Sequence, residues 1–366
     1  MPAPTTPVER AHHGRIEALD GLRAIAVALV IAGHGVDVWW PDQAGAPWLA
    51  PFVNASLGVR LFFVLSGFLI TSLLWREQQR RGSIDWRAFV LRRSLRIWPG
   101  LYAYILVMLL LTQAGVLSIS PGQFFAAATL TWNYAAIWIQ DGTSQGAWFL
   151  GHLWTLALEQ QFYLAWPLAI VLLGWRRAGR LALVLPLLLP LVRVFWYFAF
   201  PSHRGLLGMM FHTAIDSILI GCAFALHQEQ IRVWLAGHRS AFPTALLFVL
   251  LVSPLISSQV RAYGVTFGFG LDAVGCGVLI VAAQLPLTAE ARRWASFLSH
   301  PWLVLIGTIS YGFYLWQQPF LTTWNTTLSG RFPFSLLVIS ICALISFHWI
   351  EMPGLRAKQL FSRSSL

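Results

Sequence analysis

The chain has 366 residues, 57% of them hydrophobic and only 11% charged, at a mean hydropathy of +0.65. A soluble domain carries about 25% charged residues, so these proportions exclude a water-soluble globular protein and predict an all-α, polytopic bundle of membrane helices. The formal net charge of +11 gives no reason to expect nucleic acid as a partner, because cationic loops orient membrane proteins in the lipid bilayer.

The N-terminal stretch MPAPTTPVERAHHGRIEA is polar, with no apolar signal region, and no cleaved signal peptide is expected. Its His12–His13 pair has no partner at metal-ligand spacing, so no metal site is expected. Apolar runs then predict about ten transmembrane helices, near 18–39, 58–75, 97–115, 150–174, 181–200, 209–228, 241–257, 264–287, 302–323 and 333–351. Residues 116–149 hold only a partial apolar run, which suits an interfacial or re-entrant helix. An even number of spans puts both termini on one side. Nineteen Lys and Arg residues then fall on that side, against three (Arg204, Arg261 and Arg331) on the other, so both termini are expected to be cytosolic. Cys222, Cys276 and Cys342 all lie in apolar runs and read as small core residues. No loop is long enough for an independent core. The expected organisation is a cytosolic tail (1–17), a transmembrane domain (18–354) and a second cytosolic tail (355–366), in the cytoplasmic (inner) membrane.

Four stretches carry chemistry. In DGLRAIAVALVIAGHGVD (Asp20–Asp37), Arg23 and His34 are eleven residues apart, close to a whole number of helical turns, and Asp20 and Asp37 fall near the same line. That polar stripe must face protein or a wet cavity; the plainer alternative is an interfacial arginine and a packed histidine. The basic stretch REQQRRGSIDWRAFVLRRSLRIWP is read as a cytosolic loop between the second and third spans. Its arginines suit bidentate phosphate recognition or anchoring on anionic lipid. Arg93 and Arg96, one turn apart at the mouth of the third span, could receive a phosphorylated ligand. In HLWTLALEQQFYLAWP (His152–Pro167), His152, Glu159 and Tyr163 share a helical face. A carboxylate inside an apolar span is a site candidate, or else a structural partner for Arg23 or Arg60. Asp216 and Asp272 are isolated acids, one of which is expected to pair with Arg193. In ISYGFYLWQQP, Tyr311, Tyr314 and Gln318 recur at helical spacing, as an interface belt or a sugar-stacking surface. There is no G-x-x-x-x-G-K-[ST] phosphate loop.

Taken together, LDGLRAIAVALVIAGH with its Arg23-x10-His34, GVRLFFVLSGFLI, RRSLRIWPGLY with Arg93-x-x-Arg96, and HLWTLALEQQFYLAWP resemble the acyltransferase 3 family of integral-membrane O-acyltransferases. The closing ISFHWIEMP, with Glu351, fits as well. The chain departs from the family pattern at Arg60, where an acidic or polar residue is common, at Gln160, where a second glutamate is common, and at Gln317, where histidine is common. The extra hydrolase-like domain of some relatives is not expected, and the chain is expected to act alone.

The resemblance implies transfer of an acyl group, acetyl by default, from cytosolic acyl-CoA to a hydroxyl of a carbohydrate or glycoconjugate. Acyl-CoA is then a donor substrate, with no cofactor bound permanently. His34 is expected as base or transient acyl carrier, with Glu159 holding its imidazole, and Arg23 completing the catalytic set. Arg93 and Arg96 join Arg23 on the coenzyme phosphates or the thioester end, and Ser66–Gly67 are expected to help an oxyanion. Asp20, Arg60, His152, Trp154, Tyr163, Tyr311 and Tyr314 are the further substrate-binding candidates. The rival classes are a transporter or flippase of a lipid-linked sugar or anionic solute, and an inactive membrane sensor.

Overall fold

The computed structural model describes residues 16–284 and 288–356, and every regular element among them is helical. The principal helices are α1 (Glu17–Trp39), α2 (Ala55–Arg81), α3 (Trp86–Gln113), α4 (Pro121–Ala128), α5 (Ser144–Phe149), α6 (Leu153–Ala199) and α7 (Asp216–Leu226). They are followed by α8 (Gln228–Gly237), α9 (Ala241–Gln259), α10 (Phe267–Gln284), α11 (Ala289–Leu298), α12 (Pro301–Thr308), α13 (Ser310–Trp316) and α14 (Phe334–Arg356). Seven of these (α1, α2, α3, α6, α9, α10 and α14) are long and apolar enough to cross a membrane. The chain is a multi-pass membrane protein.

Set against the ten expected spans, three places differ. Helix α6 runs for 47 residues but leaves helical geometry at Gly174 (φ 76°, ψ 160°), a backbone conformation that suits glycine. It thus contains the two segments expected at 150–174 and 181–200. The segment expected at 209–228 is broken at Ile215, and the one at 302–323 is broken at Ile309 and ends as a helix at Trp316. Most of the two expected tails, residues 1–15 and 357–366, lies outside the described residues.

The basic stretch is not a loop. Helix α2 continues to Arg81 and stops at Gly82, which takes the left-handed conformation (φ 73°). Helix α3 restarts only four residues later, where the Asp85 side chain accepts the Ala88 N–H at 2.9 Å. The arginines are therefore mounted on the ends of two helices, and Arg93 and Arg96 sit about two and three turns into α3 rather than at its mouth.

Residues 116–149 are likewise not one interfacial helix. They fold as a string of short helices, started by a capping box at Ser120–Gln123 and by Thr143, whose hydroxyl accepts the Gly146 N–H at 2.9 Å. Side chains tie the string to the bundle. Asn133 and Gln161 exchange amide hydrogen bonds at 2.9 and 3.0 Å, and Tyr134 reaches His212 at 3.1 Å.

Helices α1, α2 and α10 form the interior: 67% of the apolar stretch of α2 and of α10 is buried, against 28% of that of α6. Lipid-facing α6 presents Leu172, Leu187, Leu191, Phe195 and Phe198 outward. Close packing explains the small residues inside. A Cβ on Gly67 would stand 1.9 Å from the Ile218 carbonyl oxygen, and one on Gly221 would stand 2.2 Å from that of Val64, so α2 and α7 touch backbone to backbone. Two buried ion pairs cross the interior. Arg193 pairs with Asp216 at 2.9 Å, and Arg60 pairs with Asp272. Phe269 lies against both guanidinium groups, 4.4 Å from Arg60 and 4.9 Å from Arg193. Cys222 and Cys276 are buried and unpaired, as their apolar setting predicts.

Candidate functional site

Two cavities at opposite ends of α1 gather nearly all of the candidate residues. The eleven-residue spacing explains this: at 1.5 Å per residue, Arg23 and His34 lie ~16 Å apart along one face, and each enters a different cavity.

The first cavity, about 120 Å³, lies toward the arginine-rich end. Its walls bring Arg23 from α1, Ser66 from α2, Arg93 and Arg96 from α3, Glu159 and Tyr163 from α6, and Tyr311 from α13. Tyr163 donates to Glu159 Oε2 at 3.2 Å, which leaves its oxygen to accept from Ser66 Oγ at 2.7 Å. The Arg93 guanidinium lies 5.5 Å from the Tyr163 ring and 5.7 Å from that of Phe89. Tyr311 donates to the Ile97 carbonyl at 2.7 Å and so locks α13 beside the arginines. Among the described residues, neither Arg93 nor Arg96 has a carboxylate at ion-pair distance. Three arginines line this pocket against one carboxylate, and two of them, Arg93 and Arg96, present forks of N–H donors that no carboxylate pairs among the described residues.

The second cavity is about 920 Å³ and opens toward the other end, beneath the string of short helices at 116–149. His34, Arg60, His152 and Trp154 line it, together with Trp132, Trp148 and Gln318. The His34 ring packs edge-on to Trp148 at 5.9 Å, and His152 sits between Tyr104 and Tyr314 at 5.3 and 5.5 Å. Trp148 and Gln318 clamp each other: the indole N–H donates to the Gln318 carbonyl at 3.1 Å, and the Gln318 amide donates to the Trp148 carbonyl at 3.0 Å. Among the cavity's lining residues, His34 Nδ1, both nitrogens of His152 and Gln318 Oε1 are buried without a hydrogen-bond partner. Burying that many polar atoms unpaired is costly, so the cavity is chemically suited to a ligand or water that satisfies them.

A thin partition separates the two spaces. Val59, Phe63 and Tyr314 line both. The Tyr314 hydroxyl donates to the His152 carbonyl at 2.7 Å and lies 2.6 Å from Thr155 Oγ1.

Several sequence expectations change here. Glu159 shares no hydrogen bond with His34; it lines the other cavity and accepts from Tyr163. It does not pair with Arg60, which belongs to Asp272 in the wall of the second cavity. Asp20, expected to bind substrate, lines neither cavity and holds Arg23 at 2.5 Å. Gly67 serves helix packing, and mid-helix amides such as its own are committed to the helical ladder. The sequence reading also missed Trp148 and the rest of the roof over the second cavity. Their only signal was an apolar run too short to span the bilayer.

Fold and cavities together define a multi-pass helical membrane protein with a cationic pocket and an imidazole-lined one set back to back. The chain belongs to the acyltransferase 3 family: the profile of that family, described as an acyltransferase domain, matches residues 16–350. Among its relatives is O-acetyltransferase OatA of Staphylococcus aureus, 30% identical over 92% of this chain and 57% of the relative. Peptidoglycan O-acetyltransferase OatA of Listeria monocytogenes is 27% identical over 92% of this chain and 55% of the relative. The chain thus spans little more than half the length of these relatives. No solved structure matches it.

Proposed function

We propose that the protein is a membrane O-acyltransferase that moves an acyl group, acetyl by default, from cytosolic acyl-CoA to a hydroxyl of a carbohydrate acceptor on the far side of the membrane. The observation that carries this reading is the pair of unlike cavities sharing the Tyr314 partition. One is suited to phosphates and the other to a sugar. The names of the Staphylococcus and Listeria relatives add support for O-acetyl transfer, and the latter for a peptidoglycan acceptor. In this reading the chain crosses the cytoplasmic (inner) membrane ten times, counting α6 twice and the broken segments at 211–226 and 301–316 once each. Both termini and the arginine-bearing helix ends are cytosolic, and residues 18–354 form the transferase domain.

Arg93 and Arg96, with Arg23 oriented by Asp20, bind the coenzyme phosphates and direct the thioester toward Tyr314. Ser66, Tyr163 and Glu159 form the hydrogen-bonded wall along which the donor lies, and Tyr311 holds that wall against α3. In the second cavity His34 is the base, with His152 beside it in the same wall. Trp148 and Trp154 offer faces for a sugar ring. His34 removes the proton from the acceptor hydroxyl. The oxygen bonds to the acyl carbon, the carbon–sulfur bond breaks, and the thiolate recovers the proton. If His34 first takes the acyl group itself, an acyl–nitrogen bond forms as the carbon–sulfur bond breaks, and that bond breaks in turn when the acceptor oxygen bonds to the acyl carbon and gives up its proton.

A carrier for a lipid-linked sugar would need the same pair of cavities but would leave the thioester intact. Purified protein is therefore incubated with radiolabelled acetyl-CoA and a peptidoglycan-derived oligosaccharide. Thiol release that disappears with His34→Ala supports the transferase, and label retained on the protein favours the two-step route. No donor binding with any acyl-CoA would favour the carrier.

A further inference from the structure

Further along α1 than His34 lies a separate groove of about 500 Å³, which shares no lining residue with the second cavity and has no part in the proposed chemistry. Helix α1 supplies Trp39 and Trp40, about 8 Å beyond His34 at 1.5 Å per residue. The chain after Gln317 and Gln318 supplies Thr322, Asn325, Arg331 and Phe332. The same two segments that wall the imidazole pocket thus wall the groove.

Its composition is unusual for a membrane rim. Trp39, Trp40 and Phe332 pack against one another with ring centres 5.2–5.7 Å apart, and Trp40 and Phe332 remain 43% and 48% exposed. Trp39 is fixed by donating to Ser335 Oγ at 3.0 Å. The opposite wall is a polar loop organised by Asn325, which donates to the Pro319 carbonyl at 3.0 Å and accepts from the Thr327 hydroxyl at 2.7 Å. Arg331 is exposed, and among the described residues no carboxylate pairs with it. Tryptophans at a span end usually form an interfacial belt. A belt needs no concavity, no threonine and asparagine wall, and no lone cation at the lip.

We propose that this groove is an outer subsite for an anionic glycan chain. A sugar ring stacks on Trp40 and Phe332, and its carboxylate meets Arg331, while a neighbouring unit of the same chain enters the His34 cavity. The inference rests on the reading of the acceptor as a carbohydrate and narrows it to a polymer bearing acidic groups.

Full-length protein in detergent is titrated with three fluorescein-labelled probes: a hexasaccharide of alternating N-acetylglucosamine and N-acetylmuramic acid, the neutral chitin hexasaccharide, and the corresponding acidic disaccharide. Trp40→Ala should weaken both hexasaccharides about tenfold and spare the disaccharide. Arg331→Ala, a change at an exposed rim with no fold to lose, should remove an approximately threefold preference for the acidic hexasaccharide, a preference that salt also erases. Thiol release from acetyl-CoA with a short acceptor should be unchanged in both variants. Hexasaccharide binding that ignores both substitutions overturns the subsite and leaves an aromatic belt. So does a wild-type protein that binds no hexasaccharide. If the groove variants lose the hexasaccharides but wild-type protein never releases thiol, the transferase reading fails and the subsite stands.

Discussion

The two cavities differ in how they are built. The small one is assembled from side chains in the middle of long helices: Arg23, Ser66, Arg93, Arg96, Glu159 and Tyr163. Their positions are fixed by helical repeat and by a short hydrogen-bond relay. The large one is a vault. One wall is helical, with His34 and His152, but its roof is the string of short helices and turns at 116–149, and much of its polar lining has no protein partner. A pocket that receives one invariable ligand gains from rigid walls that aim a few uncommitted donors, such as those of Arg93 and Arg96, at fixed points. A pocket that must orient a polymer needs room and spare donors. The contrast supports the proposal that the coenzyme enters the first and the sugar the second, and it can be broken at four points.

The largest effect is expected at His34. His34→Ala should lower transfer by about 10³-fold, within the range for loss of a positioned general base, while leaving the equilibrium binding of labelled acetyl-CoA intact. Loss of donor binding in this variant would mean that the two cavities are one site. Turnover near wild type would remove His34 from the chemistry.

Next is the charged wall of the large cavity. Removing one partner of a buried pair strands the other, at about 3–5 kcal/mol. Asp272→Ala should therefore lower the thermal midpoint sharply in detergent, because Arg60 lies almost fully buried beside Phe269. The double variant Arg60→Met with Asp272→Leu should recover most of that stability. If it also recovers transfer, Arg60 is a wall residue; if it folds but fails only with acidic acceptors, Arg60 reads the substrate.

These cases mark what the sequence could and could not disclose. The polar stripe on α1 was legible because a helix repeats every 3.6 residues, so Arg23 and His34 had to lie on one face. The same geometry grouped His152, Glu159 and Tyr163 on α6. It could not show that seven residues along α6 is far enough to put His152 in one cavity and Glu159 in the other. Nor could it show that Arg60 faces Asp272, 212 residues away in the chain, since nothing local encodes that pairing. The roof was illegible for a different reason: its helices are too short to carry a periodic signal, and they are held by single tertiary contacts such as Asn133 to Gln161. The basic stretch reads as a loop because its dense run of charge masks two local signals, the Gly82 stop and the Asp85 cap.

A smaller and more selective effect is expected in the cationic pocket. Arg93→Ala and Arg96→Ala should each raise the acetyl-CoA KM about 10–100-fold, the loss of a charge-assisted hydrogen bond worth about 1.5–3 kcal/mol, with the acceptor KM unmoved. Lysine at either position should restore the charge but not the two-pronged geometry, and so recover only part of the affinity. Equal loss for donor and acceptor would place both substrates in one continuous tunnel.

The smallest effect is the most informative about the boundary itself. Tyr314→Phe keeps the ring that divides the cavities and removes only the hydroxyl between the His152 carbonyl and Thr155. One such hydrogen bond contributes about 1 kcal/mol, so kcat should fall no more than about tenfold, with both KM values nearly unchanged. The Thr155 hydroxyl also reaches the His152 carbonyl, at 3.1 Å, and can hold the start of α6 in its partner's absence. A partition that is only a wall would tolerate the change with no loss of kcat. A loss far beyond tenfold would mean that the phenol itself contacts the reacting acyl group, and the boundary between the two cavities would then be the point at which the acyl group changes hands.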